Sequence, residues 1–245
     1  MRLMTSMIAA ALLLAAWTAP TTAADRDAGF NKALEIYKQR ADLKKHQEAA
    51  EAFAELAKAY PEDKELQVFC ARTAYFCAHR LKGKEKETVA SLGVECSKRI
   101  LKQDKTDYDG RYWWARTSLK QRESEGIQAA LKQAKVVRDF VEKMIKDEPG
   151  RFEGYMALGS MLRGIPGFLG GDKVRALEIL KKGYELAPKD AELLLELAAG
   201  YAANGDKKKA AEVYDQCIKD SLRPEHLEWE TDDAIAYAKK MKAEL

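Results

Sequence analysis

Three histidines, four cysteines and one glycine-rich loop are the residues of this 245-residue sequence whose types suit them to chemistry. His46, His79 and His226 lie too far apart along the chain to give metal-ligand spacing, and no Cys-x-x-Cys pair adds donors. No serine or cysteine stands in a nucleophile motif. The loop Arg163-Gly164-Ile165-Pro166-Gly167-Phe168-Leu169-Gly170-Gly171-Asp172 precedes a helix, where free backbone N–H groups can cradle phosphate. It lacks the Gly-Lys-Ser/Thr ending, however, and follows a helix rather than a strand. Its expected role is structural: Ile165, Phe168 and Leu169 plug the protein interior, and Asp172 caps the next helix. The competing expectation is that Phe168 and Leu169 project to meet a partner. Carboxylates are plentiful but fall on amphipathic helices, where a solvated face is the default. No catalytic, metal or cofactor constellation can be assembled, so a non-enzymatic protein without cofactors is expected.

The elements that would position these residues are helices. Hydrophobic residues make up 47% of the chain, charged residues 33%, and there are only 6 prolines. With so many Ala, Leu, Lys and Glu, that composition favours a helical globular protein over a disordered one. The formal net charge of +3 recruits no nucleic acid, and Lys207-Lys208-Lys209 is too short a run to do so.

Arg2 followed by the apolar run Met7–Trp17 and the small residues Ala19–Ala24 reads as a leader covering residues 1–24, cleaved after Ala24. The run is shorter than the ~20 residues of a membrane span, so no stable membrane insertion is expected. No cysteine stands near the cleavage point to carry a lipid. The expected product is exported, and periplasmic if the source is Gram-negative. Export permits disulfides. Cys70 and Cys77 sit on one predicted helix, roughly 10 Å apart and out of bonding reach. With a turn near Gly83, Cys70 and Cys96 face one another across a helical hairpin. Either these two are bonded or all four cysteines are small core residues.

The chain repeats itself. Pro61, Pro149 and Pro188 each stand three residues before a similar helix start, at Lys64, Phe152 and Ala191; Tyr108 begins a fourth copy and Phe30 a weaker first. The eighth place is small in the four stronger copies: Ala71, Ala115, Gly159 and Ala198. Ala49 and Ala210 repeat at the twentieth place, with Phe53 and Tyr214 four residues later. Small residues there let paired helices approach while the large ones fill gaps between hairpins. This is the tetratricopeptide pattern, with its usual period of 34. The spacings here are 34, 44, 44 and 39, reading from Phe30 to Ala191. The predicted fold is an all-α, tetratricopeptide-like solenoid spanning residues 25–245. Its hairpins lie near 30–63, 64–107, 108–151, 152–190 and 191–224, and a cap over 225–245 covers the last apolar face. Trp229 is expected to pack beneath that cap. Asp63, Asp190 and Asp206 are expected at helix starts, with Gly205 at a turn.

In such a solenoid the first helix of each hairpin lines a concave groove. Reading off the inward places gives Glu65, Val68, Arg72 and Tyr75, then Asp109, Tyr112, Arg116 and Leu119, then Glu153, Met156, Ser160 and Arg163, and lastly Glu192, Leu195, Ala199 and Ala202. Of these, Arg72, Tyr75, Tyr112, Arg116, Met156 and Arg163 are the expected binding residues, and the arginines and tyrosines among them make a cationic trough with aromatic walls. Arginine and tyrosine are enriched where binding energy concentrates. The alternative is that each arginine pairs with a neighbouring carboxylate.

The loop Pro166-Gly167-Phe168-Leu169-Gly170-Gly171-Asp172 with Ala176, and Tyr112-Trp113-x-Ala115 before it, resemble the TRAP-transporter T-component (TatT-like) family over about residues 107–218. The resemblance implies an all-helical periplasmic protein that docks on the substrate-binding protein of a tripartite transporter, with a lined pore through the fold. The chain departs from that family in lacking its anchor cysteine. The same loop occurs in other tetratricopeptide proteins, such as the regulator-of-microtubule-dynamics group. The expected function is therefore an exported adaptor that binds a partner protein, with the substrate-binding protein of a TRAP-type transporter as the candidate. A periplasmic carrier of a small apolar or anionic ligand held inside the superhelix is the alternative. Homo-oligomer formation stays open.

Overall fold

A computed structural model describes residues 22–123 and 125–245. Among them run eleven α-helices and no strand: α1 (Ala23–Tyr37), α2 (Leu43–Ala59), α3 (Lys64–Arg80), α4 (Gly83–Gln103), α5 (Tyr108–Glu123), α6 (Ile127–Asp147), α7 (Phe152–Gly164), α8 (Lys173–Leu186), α9 (Ala191–Ala203), α10 (Lys207–Asp220) and α11 (Glu228–Ala243). Successive helices pair into five hairpins, and α11 stands alone. The apolar leader run lies outside the described residues. The expected cleavage point after Ala24 falls in the first turn of α1, which starts seven residues before Phe30 and is capped by the Thr22 side chain.

Aspartates set the helix starts. The Asp42 carboxylate accepts from the N–H of Lys44, Asp63 from Leu66, Asp107 from Gly110, Asp172 from Arg175, Asp190 from Leu193 and Asp206 from Lys209. Each such cap satisfies an otherwise orphaned N–H and is worth about 1 kcal/mol. Gly205 takes the left-handed φ of +84° that the turn before α10 requires.

The small repeat residues are where helices touch. Ala71, Ala115, Ala198, Ala49 and Ala210 are all buried. At Gly159 a Cβ would lie 2.4 Å from Leu180 Cγ, so α7 and α8 meet more closely than alanine allows. Phe53 and Tyr214 fill the spaces between hairpins, with Phe53 stacked at 4.5 Å on Phe69. Buried Gln67 donates to the carbonyls of Ala57 and Tyr60, closing the end of α2 against α3. Cys70 and Cys96 form a disulfide that staples α3 to α4, with Cα atoms 6.3 Å apart. Cys77 and Cys217 are free and buried.

At the C-terminal end α11 covers the last hairpin. Ala238 and Ile235 are buried there, and Lys242 pairs with Asp215 of α10 at 2.6 Å. Trp229 departs from expectation. It sits in the first turn of α11, under the Arg80 guanidinium at 4.7 Å and beside His46, so it packs on the second and first hairpins. The superhelix is tight enough for its two ends to meet, and the apolar ring follows that closure.

Candidate functional site

The first half of the groove is filled by the chain itself. Glu230, at the start of α11, accepts two hydrogen bonds from the Arg40 guanidinium at 2.8 Å and one from the Tyr37 hydroxyl at 2.8 Å. Both Arg40 and Glu230 are buried. His226 adopts φ +64° and lays its ring against Phe69 at 5.6 Å, while its carbonyl accepts from Arg40. Burial, with Arg80 and Arg40 alongside, lowers the His46 pKa to about 3, so this imidazole stays neutral. Arg72 belongs to this half. Its guanidinium stacks on Phe69 at 4.3 Å, its Nε has no hydrogen-bond partner among the described residues, and burial pulls its pKa down.

The other expected groove residues assemble further along. Arg116 of α5 lies over the Tyr75 ring at 3.8 Å and donates to the hydroxyls of Tyr75 and Tyr112. It also forms a two-pronged ion pair with Glu192 of α9; one prong measures 2.9 Å. Burial alone would weaken the Arg116 charge, but Glu192 and the two tyrosines outweigh it and raise its pKa well above the usual value. Burial opposes the Glu192 charge as well, and Arg116 holds that carboxylate below its usual value. Burial pushes the Tyr75 phenol up to about 12. Arg163 of α7 pairs with Glu196 of α9 at 2.6 Å.

The six residues therefore do not make one cationic trough. Tyr75, Tyr112 and Arg116 converge, Arg163 is held separately by Glu196, and Arg72 faces the opposite end. Curvature brings α9 across from α5 and α7, and its carboxylates neutralise the arginines of both. A continuous open groove for an extended peptide is interrupted twice, at Arg40–Glu230 and at Arg116–Glu192.

A pocket of about 360 Å³ opens between α5, α6, α7 and α9. Leu119, Leu131, Val137, Met156 and Met161 form its walls, with Ser160 among them. Arg116, Lys120, Glu123, Glu192 and Glu196 stand at its polar edge, and Gly164, Ile165 and Pro166 complete its lining where the glycine-rich loop begins. Of the expected groove residues, Tyr75, Arg116, Leu119, Met156, Ser160 and Glu192 reach it. The α6 wall was missed because its residues lie on a second helix, outside the usual groove-facing places.

The loop itself is a hydrogen-bonded turn. Within it the N–H groups of Leu169, Gly170, Gly171 and Asp172 donate to the carbonyls of Pro166, Gly167, Pro166 and Leu162. Those four donors are spent within the turn. Gly170 is left-handed at φ +95°, and a Cβ on Gly171 would lie 1.7 Å from the Ile165 carbonyl oxygen, so neither place suits a side chain. Phe168 and Leu169 are not a plug: Phe168 is 89% exposed and Leu169 43%. Between α7 and α8 the interior is already filled by Leu162, Ala176 and Leu180, and the five residues by which this 39-residue repeat exceeds the usual 34 are used up in the turn. Asp172 caps α8 as expected.

Among the described residues no group of three His, Cys, Asp or Glu side chains is placed to hold a metal ion, and no helix is long and apolar enough to cross a membrane.

No protein-family model and no curated protein matches the sequence. Solved structures do resemble the fold. TTC0263, a thermophilic TPR protein of Thermus thermophilus, is 17% identical, with 84% of this chain and 98% of that one covered at a TM-score of 0.58. PilF of Pseudomonas aeruginosa is 15% identical, with 88% of this chain and 89% of that one covered at a TM-score of 0.50. At these identities the likeness speaks for fold alone, and together with the helical hairpins it makes this chain a tetratricopeptide-type solenoid closed by a C-terminal helix.

Proposed function

We propose that the protein is a non-enzymatic adaptor that docks on a partner protein through the loop at Gly164–Gly171. One observation carries this reading: Phe168 is 89% exposed on a turn whose backbone is fixed by its own hydrogen bonds. An aromatic side chain presented to water on such a turn gains much on burial, which is the profile of an interface anchor. Ile127 and Val174 are exposed too, at the starts of α6 and α8. The leader-like start and the Cys70–Cys96 disulfide support an exported protein in an oxidising compartment. Resemblance of the loop to the TRAP-transporter T-component family makes a transporter's substrate-binding protein the candidate partner.

A photo-crosslinking residue placed at Phe168 tests this in the compartment where the protein resides. A protein adduct is expected there and none from the same residue at exposed Lys58 on α2. Adducts of equal yield from both positions would remove the loop from the account.

A further inference from the structure

We propose that the pocket between α5, α6, α7 and α9 binds a small, uncharged, largely apolar molecule carrying one hydrogen-bonding group. This does not rest on the loop meeting a protein partner.

Size comes first. About 360 Å³ falls within the roughly 300–1,000 Å³ of ligand sites, far more than a bound water needs. The walls are aliphatic, from Leu119 and Leu131 to Met156 and Met161, and the two methionines adapt to irregular shapes. Leaving a cavity so lined open is unfavourable, and an apolar occupant would recover the lost contacts.

Charge then narrows the class. Every charged group at the edge already has a partner: Arg116 with Glu192, Lys120 with Glu123, and Glu196 with Arg163. An anionic ligand would have to compete with Glu192 for Arg116, and a cationic one with Arg163 for Glu196. Breaking a largely buried pair strands the other member, so a charged ligand starts at a disadvantage that a neutral one does not meet. Ser160 supplies the remaining feature. It lines the pocket and its hydroxyl makes no hydrogen bond among the described residues, whereas the Tyr75 hydroxyl already accepts one from Arg116. One hydroxyl among aliphatic walls selects for one polar group on an apolar body.

A matched pair of fluorescent probes tests this on the purified chain. N-phenyl-1-naphthylamine is neutral with a single N–H; 8-anilinonaphthalene-1-sulfonate has the same aromatic frame and adds a sulfonate. The neutral probe should bind saturably at one site per chain, and the sulfonate at least tenfold more weakly. Ala157→Phe on α7 and Ala130→Phe on α6 fill the pocket from opposite walls, and each should weaken the neutral probe at least tenfold. Phe168→Ala should leave its affinity unchanged. Equal affinity for both probes, or no effect from the filling variants, would overturn the assignment, as would an equal loss in Phe168→Ala. Should both filling variants fail to fold, Ser160→Ala decides: a severalfold loss of the neutral probe supports the site, and unchanged affinity overturns it.

Discussion

Glu230, in the first turn of the last helix, is held by Arg40 of the first hairpin, 190 positions earlier in the chain. The contact joins the two ends of the solenoid. Because both side chains are buried, removing one leaves the other charged and unpaired. Glu230→Ala should therefore cost about 3–5 kcal/mol of stability, and adding Arg40→Met should restore most of it. Denaturant midpoints of the two variants measure this. A loss below about 1 kcal/mol for Glu230→Ala would mean the pair behaves as a surface ion pair and the ends are not joined.

The disulfide gives a chemical count. Thiol titration of unfolded, unreduced protein should find two free thiols, Cys77 and Cys217. In the folded protein both should react slowly, since each is buried and burial pushes the Cys77 thiol up to about 12. Cys96→Ser should free Cys70 and lower stability by roughly 2–4 kcal/mol. Four reactive thiols in the unfolded wild type would dispose of the bond.

Asp190 makes stability depend on pH. Burial raises its carboxyl to about 6, even though it accepts from Leu193 at the start of α9. A folded-state pKa above the unfolded one means the native protein binds this proton more tightly. The contribution is fully present below about pH 4 and is lost as pH rises through 6. Asn also caps helices. Asp190→Asn should thus match the wild type near pH 4 and exceed it at pH 7 by an amount of order 1–3 kcal/mol. A pH-independent difference between the two would contradict the assignment.

Much of this fold is legible in the sequence because its determinants are local. Aspartates at helix starts, Gly205 at a turn and small residues in phase with prolines act within a hairpin, and Cys70 and Cys96 stand equidistant from its turn. The site was less legible, because its geometry depends on how sharply the hairpins stack. Glu192 stands at an inward place as Arg116 does, but nothing in the sequence picks it as that arginine's partner, or Glu230 as the partner of Arg40; superhelical curvature creates both pairs. Apolarity misled at Phe168. A hydrophobic residue among glycines suits a plug and an exposed anchor equally, and the space left between α7 and α8 decides between them.

Adaptor function through the glycine-rich loop is tested most directly at Phe168. In the Phe168→Ala protein, melting should shift by no more than about 0.5 kcal/mol of stability, since the ring touches solvent. Proteins retained by the wild-type chain from extract of its own compartment should be lost at the same time. Unchanged melting with loss of the retained protein is the predicted result. A fall in stability of about 3–5 kcal/mol, as for a buried ring, or retention equal to wild type, would contradict it.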